Sequence, residues 1–215
     1  MSKLKLFIIF SFFLSLGSFA SVIGEIEQSG DTCPDESYFS KNPMNYAVNI
    51  YGYIVSYKRS DTKDPICLAH RQQDGSEFLL EMLPRNQSLS NWNEMFTIQA
   101  LIGSKDKDLS NENLLESLDS STFCAGNYSI KTISNNNEGI EVVKVCGSYS
   151  DKRLTNDKNM SEVTQYLIRR AGGNLYIFYC SKRGKPFNAS QYNFNNREIK
   201  KQSKFLNSIK IEKAE

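Results

Sequence analysis

The sequence predicts an α+β domain with a mainly antiparallel sheet of about seven strands and two packing helices, similar in layout to an α/β/α sandwich. Short segments in which apolar and polar residues alternate recur from residue 44 onward. In the second half of the chain, turn signals leave connections of hairpin length between these segments. Helical periodicity is confined to two segments, so the strands are grouped together, which favours an antiparallel sheet.

The first twenty residues have the order of a secretory signal peptide. Lys3 and Lys5 precede an apolar run at 6–16, and Ser18 and Ala20 place small residues at positions −3 and −1 of a cleavage site. A membrane span needs about 20 residues, and this run is shorter. The alternative to a cleaved signal peptide is an uncleaved N-terminal anchor. We expect cleavage after Ala20 and a secreted or periplasmic product without a membrane span.

A single domain is expected at residues 44–215, after a polar N-terminal arm at 21–43. Its first predicted strand is a continuous alternation over residues 48–57, with Ile50 and Ile54 on the same face. Three more strands are predicted in the first half of the chain, at residues 67–71, 77–83 and 94–102.

The middle of the chain predicts a helix followed by a meander of strands. The helix is placed at residues 109–118, where Ser110 can cap the first turn and leucines recur at helical spacing. Gly172-Gly173 is a tight hairpin signal between the last two predicted strands. The four strands of this region are predicted at residues 128–133, 140–148, 163–170 and 175–180.

A second helix, at residues 195–209, is predicted to close the chain. Asn195 and Glu198 fit a capping box in which Asn replaces Ser or Thr. The predicted apolar face of this helix consists of Ile199, Phe205, Leu206 and Ile209.

A possible family likeness rests on the passage at residues 83–99, which contains the text Asn91-Trp-Asn-Glu-Met-Phe-Thr97. This passage resembles one found in small exported bacterial proteins of unknown function. The order of hairpin, helix, antiparallel meander and C-terminal helix over Tyr46–Ile209 is similar to the Mog1/PsbP-like fold. The resemblance implies a compact α/β/α sandwich that works by binding. It carries over no catalytic residue, and the cysteines and the N-terminal arm lie outside it.

An odd number of cysteines remains after cleavage: Cys33, Cys67, Cys124, Cys146 and Cys180. In an oxidising compartment this implies one or two disulfides and at least one free thiol. Cys124–Cys146 is the preferred pair, because their strands should be antiparallel neighbours, although simple register puts Cys146 nearer Asn127 and a loop or bulge must absorb the offset. Cys146–Cys180 is the alternative, but an intervening strand would hold these two apart.

The sequence contains no established catalytic or cofactor motif. His70 is the sole histidine, and on a regular strand it would lie on the opposite face from Cys67, which is wrong for a nucleophilic pair. We therefore expect no cofactor, no metal and no catalysis. Two carboxylate pairs are expected on a polar loop and on a helix surface: Asp106 with Asp108, and Glu112 with Glu116.

The charge is balanced in total and uneven along the chain. Removal of Lys3 and Lys5 with the signal peptide leaves 24 basic and 24 acidic residues, so nucleic-acid binding has no support. Residues 164–215 hold eleven basic and three acidic side chains, a net of +8, and residues 21–163 hold a net of −8. Either the two regions neutralise each other within one fold, or the C-terminal region forms a basic face for an anionic partner.

Four residues are candidates for binding. Lys182, Arg183 and Lys185 follow the last predicted strand and could hold a phosphate or an anionic surface; a solvated loop is the alternative. Trp92, the only tryptophan, is either an exposed anchor for a ligand or a ring folded back on the sheet.

These observations together predict an exported, soluble binding or interaction protein of unknown ligand. An exported hydrolase that uses carboxylates or a free cysteine is the first alternative. A secreted effector that binds a host protein is the second, and its sequence would look the same. The expected partner is a protein or another anionic molecule.

Export can be tested directly at the N-terminus of the mature protein. N-terminal sequencing of the exported chain is expected to begin at Ser21, because Ser18 and Ala20 fit the cleavage site. Recovery of the chain in the membrane fraction with Met1 intact would contradict this prediction.

Overall fold

The computed structural model describes residues 45–58, 66–73, 77–84, 87, 92–103, 114–115, 124, 127–149 and 160–214. Within these ranges the α+β class predicted from the sequence is confirmed. The strands are β1 (Asn45–Ile50), β2 (Tyr53–Lys58), β3 (Ile66–Gln73), β4 (Glu77–Pro84), β5 (Glu94–Leu101), β6 (Tyr128–Asn136), β7 (Gly139–Cys146), β8 (Ser161–Ala171), β9 (Asn174–Gly184) and β10 (Lys210–Lys213). The helix α1 spans Arg197–Ser208, and a 3-10 turn spans Ala189–Gln191.

The strands form two antiparallel sheets. The larger sheet has seven strands in the order β3-β4-β5-β9-β8-β7-β6, in agreement with the predicted number. Strands β6 to β9 follow one another as a meander, and β9 then pairs with β5. The smaller sheet, which was not predicted, has the order β1-β2-β10. Strand β10 directly follows α1 and pairs with β2, so the end of the chain returns to its first hairpin.

The prediction of one continuous strand at residues 48–57 is wrong, because a tight turn divides it into β1 and β2. Tyr51 and Gly52 both have positive φ angles, 54° and 77°, as a two-residue hairpin turn requires. Asn49 Oδ1 accepts a hydrogen bond from the N–H of Gly52 at 3.2 Å. Apolar residues occupy both parities of this segment, so alternation alone does not reveal the turn. As a result Ile54, predicted to share a face with buried residues, is exposed.

The closing helix forms as predicted, but its N-cap is Asn196 rather than Asn195. Asn196 Oδ1 accepts a hydrogen bond from the N–H of Ile199 at 2.9 Å. Asn195 instead donates its N–H to Asn193 Oδ1 at 2.9 Å. The N-cap therefore lies one residue later than predicted, and the capping box predicted for Asn195 and Glu198 does not form, because Ile199 now occupies the third helical position.

The apolar core joins both sheets to α1. It covers one face of the seven-stranded sheet, here called the helix face. The rings of Tyr57 on β2, Phe96 on β5 and Phe205 on α1 meet edge to face, with centroid separations of 5.0–5.6 Å. On the opposite face, here called the far face, Leu114 is buried against the apolar ends of the central strands. Leu114 and Leu115 are the described residues of the predicted helix at 109–118, and both are helical.

Polar contacts help to fix the C-terminal end of α1 on the helix face. Glu141, on β7, accepts hydrogen bonds from Gln165 Nε2 at 2.5 Å and from Asn207 Nδ2 at 3.1 Å. Arg169 Nη1, on β8, donates to the carbonyl oxygen of Ile209 at 2.6 Å, just after the helix ends. These bonds link α1 to two strands near its C-terminal end, and so determine which side of the helix faces solvent.

A substitution at Gly147 tests the close packing after β7. A Cβ at this position would collide with the carbonyl oxygen of Phe187 and the side chain of Asn127. We expect Gly147→Ala to lower the free energy of unfolding by about 2 kcal/mol or more. Gly184→Ala is the matched control, because the nearest atom to its Cβ is Ser161 Oγ at 3.9 Å. Equal stability of both variants in urea unfolding would contradict this account.

Candidate interaction surface

Two of the three predicted cations lie on opposite faces of the sheet. Lys182 is on the helix face, and its Nζ lies 3.0 Å from an oxygen of Glu94 and 3.4 Å from one of Glu198. Partial burial alone would lower the pKa of Lys182, but the hydrogen bonds and charges of these two carboxylates outweigh it and raise the pKa. Lys182 is therefore neutralised within the fold. Lys185, the third predicted cation, follows the strand and is exposed.

Arg183 is on the far face and is also paired internally. Its Nε lies 3.0 Å from Glu162 Oε2, and the side chains of both residues are about nine-tenths buried. The guanidinium carbon lies 3.6 Å from the centroid of the Trp92 ring, in a cation–π contact. Trp92 is itself buried, so its ring packs on the sheet beneath Arg183.

The far face carries a row of polar residues across four strands. Glu81 on β4 is opposite Thr97 on β5, Thr97 is opposite Tyr179 on β9, and Tyr179 is opposite Tyr166 on β8. Burial raises the pKa of Glu81 from 4.5 to about 7, and the weaker effect of the Arg183 charge acts in the other direction. Burial also raises the pKa of both tyrosines, which stay neutral. Glu81 thus changes charge near neutral pH.

The backbone register at β3 overturns one argument from the sequence. Regular alternation would place Cys67 and His70 on opposite faces, but the register shifts between Leu68 and His70. Position 67 therefore pairs with Leu83 and position 70 with Glu81, which lie on the same face of β4. A bulge of this kind leaves no periodic signal in the sequence.

Cys124 and Cys146 form a disulfide, with Cα atoms 5.2 Å apart. Cys146 pairs in register with Tyr128, and a turn in which Asn127 N–H donates to the carbonyl oxygen of Cys124 absorbs the offset. Cys180, of the alternative pair, is a free thiol buried on the helix face. Burial raises the pKa of Cys180, so the thiol stays protonated.

The outer side of α1 carries four exposed cations, Arg197, Lys200, Lys201 and Lys204, here called the basic stripe. Their spacing of i, i+3, i+4 and i+7 places them within an arc of about 100° on the helix. The described residues offer none of the four an ion-pair partner, and Glu198 pairs with Lys182. All four belong to the C-terminal charge excess seen in the sequence, and their helical spacing groups them on one side of α1.

The position of the stripe is unfavourable for helix stability. Arg197 is the first residue of α1, at the positive end of the helix dipole, and the last turn contains no basic residue. Arg197 with Lys201, and Lys200 with Lys204, are like-charged pairs at i,i+4. Each such pair is destabilising by about 0.2–0.5 kcal/mol. The helix would therefore be more stable without this arrangement.

The remaining candidates provide no further site among the described residues. In that part of the chain no group of His, Cys, Asp and Glu side chains is placed to hold a metal ion. No helix there is long and apolar enough to cross a membrane. The two carboxylate pairs named above, at residues 106, 108, 112 and 116, lie outside the described residues.

Comparisons with known proteins give a likeness of fold. No family model and no curated protein matches the sequence. The chain is similar to the crystal structure of the Saccharomyces cerevisiae Ran-binding protein Mog1p, with 9% identity, a TM-score of 0.43 and coverage of 77% of this chain and 94% of that one. A structure of a Mog1 mutant gives 9% identity, a TM-score of 0.44 and coverage of 79% and 96%. These matches agree with the resemblance noted from the sequence and carry no argument about ligand or partner.

The raised pKa of Glu81 predicts how stability depends on pH. Between pH 4.5 and about 7 the folded protein retains a proton that the unfolded chain releases, so stability falls as pH rises through this window. We expect Glu81→Gln to remove this loss, and to exceed the wild type by at most about 3 kcal/mol at pH 8 while matching it near pH 4.5. Urea unfolding across the pH range measures the difference.

Glu212→Gln is the control for this experiment, because Glu212 is exposed on β10. It should leave the pH profile unchanged. A Glu81→Gln profile parallel to that of the wild type would show that folding leaves the pKa of Glu81 unchanged, and would contradict the prediction.

Proposed function

We propose that the chain is an exported interaction protein that binds an acidic partner protein through the basic stripe and carries out no chemistry of its own. Export rests on the signal-peptide pattern of the first twenty residues. The basic stripe is the observation that carries the binding proposal. Lys182 and Arg183 are neutralised by carboxylates of the same fold, whereas the stripe is displayed to solvent.

The geometry of α1 favours a protein partner over a membrane. A helix that binds in the membrane interface must bury its apolar side in lipid. The apolar side of α1 is already buried, since Ile199, Phe205 and Leu206 pack in the protein core. The stripe therefore offers charge without an insertable apolar face.

The overall charge disfavours nucleic acid. Affinity for nucleic acid depends on neutralising many phosphates, and the mature chain carries equal numbers of basic and acidic residues. A short row of four cations on a rigid helix instead matches a short acidic segment of a protein. Such a surface steers association and makes its rate sensitive to salt.

The hydrolase alternative has less support. The thiolate is the nucleophilic form of cysteine, and burial keeps the thiol of Cys180 protonated. Among carboxylates, Glu81 has a pKa near neutral but lies in a partly buried row with the hydroxyl groups of Thr97 and Tyr179, without a second carboxylate in that row. The alternative of a secreted effector uses the same surface, because it differs from the proposed function only in that the acidic partner is a host protein.

Reversing the charge of the stripe tests the proposal. The probe is a fluorescein-labelled peptide of alternating Glu and Ser, and its binding is followed by fluorescence anisotropy at several salt concentrations. We expect the triple variant Lys200→Glu, Lys201→Glu, Lys204→Glu to raise the Kd at low salt by about tenfold or more and to flatten its dependence on salt. The melting temperature should change little, because Lys201→Glu replaces repulsion from Arg197 by attraction, while positions 200 and 204 keep like charges.

A variant with the same change in net charge is the control. Lys58, Lys210 and Lys213 are exposed on strands of the three-stranded sheet and do not belong to α1. Changing all three to Glu should leave most of the affinity in place. Equal losses in the two triple variants would show that only net charge matters, and would overturn the proposed role of the stripe.

A further inference from the structure

We infer that the basic stripe is one half of a composite surface, and that its other half is a set of three aromatic rings, Phe187, Tyr192 and Phe194, here called the aromatic shelf. The composite surface would take an extended acidic protein segment that carries one aromatic or large aliphatic side chain. This inference rests on the proposed function and specifies the partner more closely.

The rings of the shelf contact one another and are partly buried. Phe187 and Tyr192 stack with centroids 5.7 Å apart and an interplanar angle of 30°. Tyr192 and Phe194 meet edge to face at 5.3 Å and 81°. The shelf packs against the small apolar cluster around Ala189 and Ile199, so each ring has a packed side and a partly exposed remainder.

The shelf adjoins the N-terminal end of the stripe. Asn196, the N-cap of α1, donates from Nδ2 to the hydroxyl oxygen of Tyr192 at 3.1 Å. Phe194 precedes Arg197, the first cation of the stripe, by three residues. Lys131, exposed on β6, places its Nζ 5.8 Å from the centroid of the Phe194 ring. One cation therefore lies over the Phe194 ring, and the stripe begins three residues after that ring.

Hydrogen bonds hold the backbone of the shelf in place. Asn127 donates from Nδ2 to the carbonyl oxygen of Phe187 at 2.8 Å and accepts from Ala189 N–H at 2.9 Å. Phe187 N–H donates to the carbonyl oxygen of Gly147 at 3.1 Å. Because the loop is already ordered, binding of a ligand on the rings does not lose conformational entropy by ordering them.

The two halves together select the chemistry of the partner. Aromatic side chains and Arg are the usual anchors of protein interfaces, and surrounding charges set orientation and rate of association. A polyanion without an apolar group would use the stripe and leave the rings unused. An acidic segment with an apolar side chain would use both, which is why we infer this partner.

Two peptides separate the halves of the surface. Both are fluorescein-labelled and alternate Glu and Ser, and one has a central Phe where the other has Ser. We expect wild-type protein to bind the Phe peptide about tenfold more tightly. Phe194→Ala should bring this ratio close to one without changing the affinity for the Ser peptide. The charge-reversed stripe variant should weaken both peptides.

Control measurements cover folding and location. Tyr51→Ala removes a partly buried ring at the β1–β2 turn and should preserve the ratio. If Phe194→Ala melts at a much lower temperature, its affinities are measured below that transition, where circular dichroism shows it folded, so that the ratio still reports on the loss of the ring.

The outcomes distinguish this inference from the proposed function. Equal binding of the two peptides, with both weakened by reversal of the stripe, would overturn the role of the shelf and leave the proposed function standing. No effect of stripe reversal on either peptide would overturn both. Tighter binding of single-stranded DNA or of phosphatidylserine vesicles than of the Phe peptide would assign the surface to a different class of anion and overturn the inferred partner.

Discussion

Burial of the apolar side of α1 between the two sheets is the constraint on which the rest of the structure depends. Phe205 contacts the rings of Tyr57 and Phe96, which come from strands far apart in sequence. Edge-to-face pairs of this kind contribute about 0.5–1.5 kcal/mol each beyond their burial. Because α1 is seated there, β10 emerges beside β2 and completes the three-stranded sheet. The first hairpin and the end of the chain are thus held together through the helix.

Polar contacts then determine the rotation of the helix. Glu141 is buried and accepts hydrogen bonds from a sheet residue, Gln165, and from a helix residue, Asn207. A turn of α1 by one residue position, about 100°, would break the contact with Asn207 and carry part of the stripe toward the core. The buried carboxylate of Glu141 would then keep only the hydrogen bond from Gln165, so this alternative is disfavoured. Together with burial of Ile199 and Leu206 on the opposite side of the helix, this contact at the edge of the stripe sets the exposed position of the four cations.

Apolar runs and alternation between turn signals predict most of the strands, although central strands such as β5 and β9 are buried on both faces and alternate little. These patterns fail where a boundary of an element depends on a single residue. The β1–β2 turn lies in a segment that is apolar at both parities, and the N-cap is chosen among consecutive asparagines. The bulge in β3 and the pairing of β10 with β2 depend on tertiary contacts and leave no local pattern.

The same limit applies to the candidate surface. Partners of Lys182 and Arg183 are set by strand register and by the position of α1, so the sequence could not show that Glu94 and Glu162 neutralise them. The stripe, in contrast, follows from local spacing, since four cations at i, i+3, i+4 and i+7 share a side of any helix that includes them.

The charge excess of the C-terminal region thus has two parts with different physical roles. Lys182 and Arg183 form ion pairs that connect strands and the helix within the fold. The stripe forms no such pairs with the described residues, repels itself, and begins at the wrong end of the helix dipole. No contact among the described residues offsets this loss of helix stability. Local arrangements that lower the stability of the fold occur at functional sites, where the free energy of binding can offset the loss. An acidic partner that neutralises the stripe would remove the repulsion, and this gain is available only in the complex.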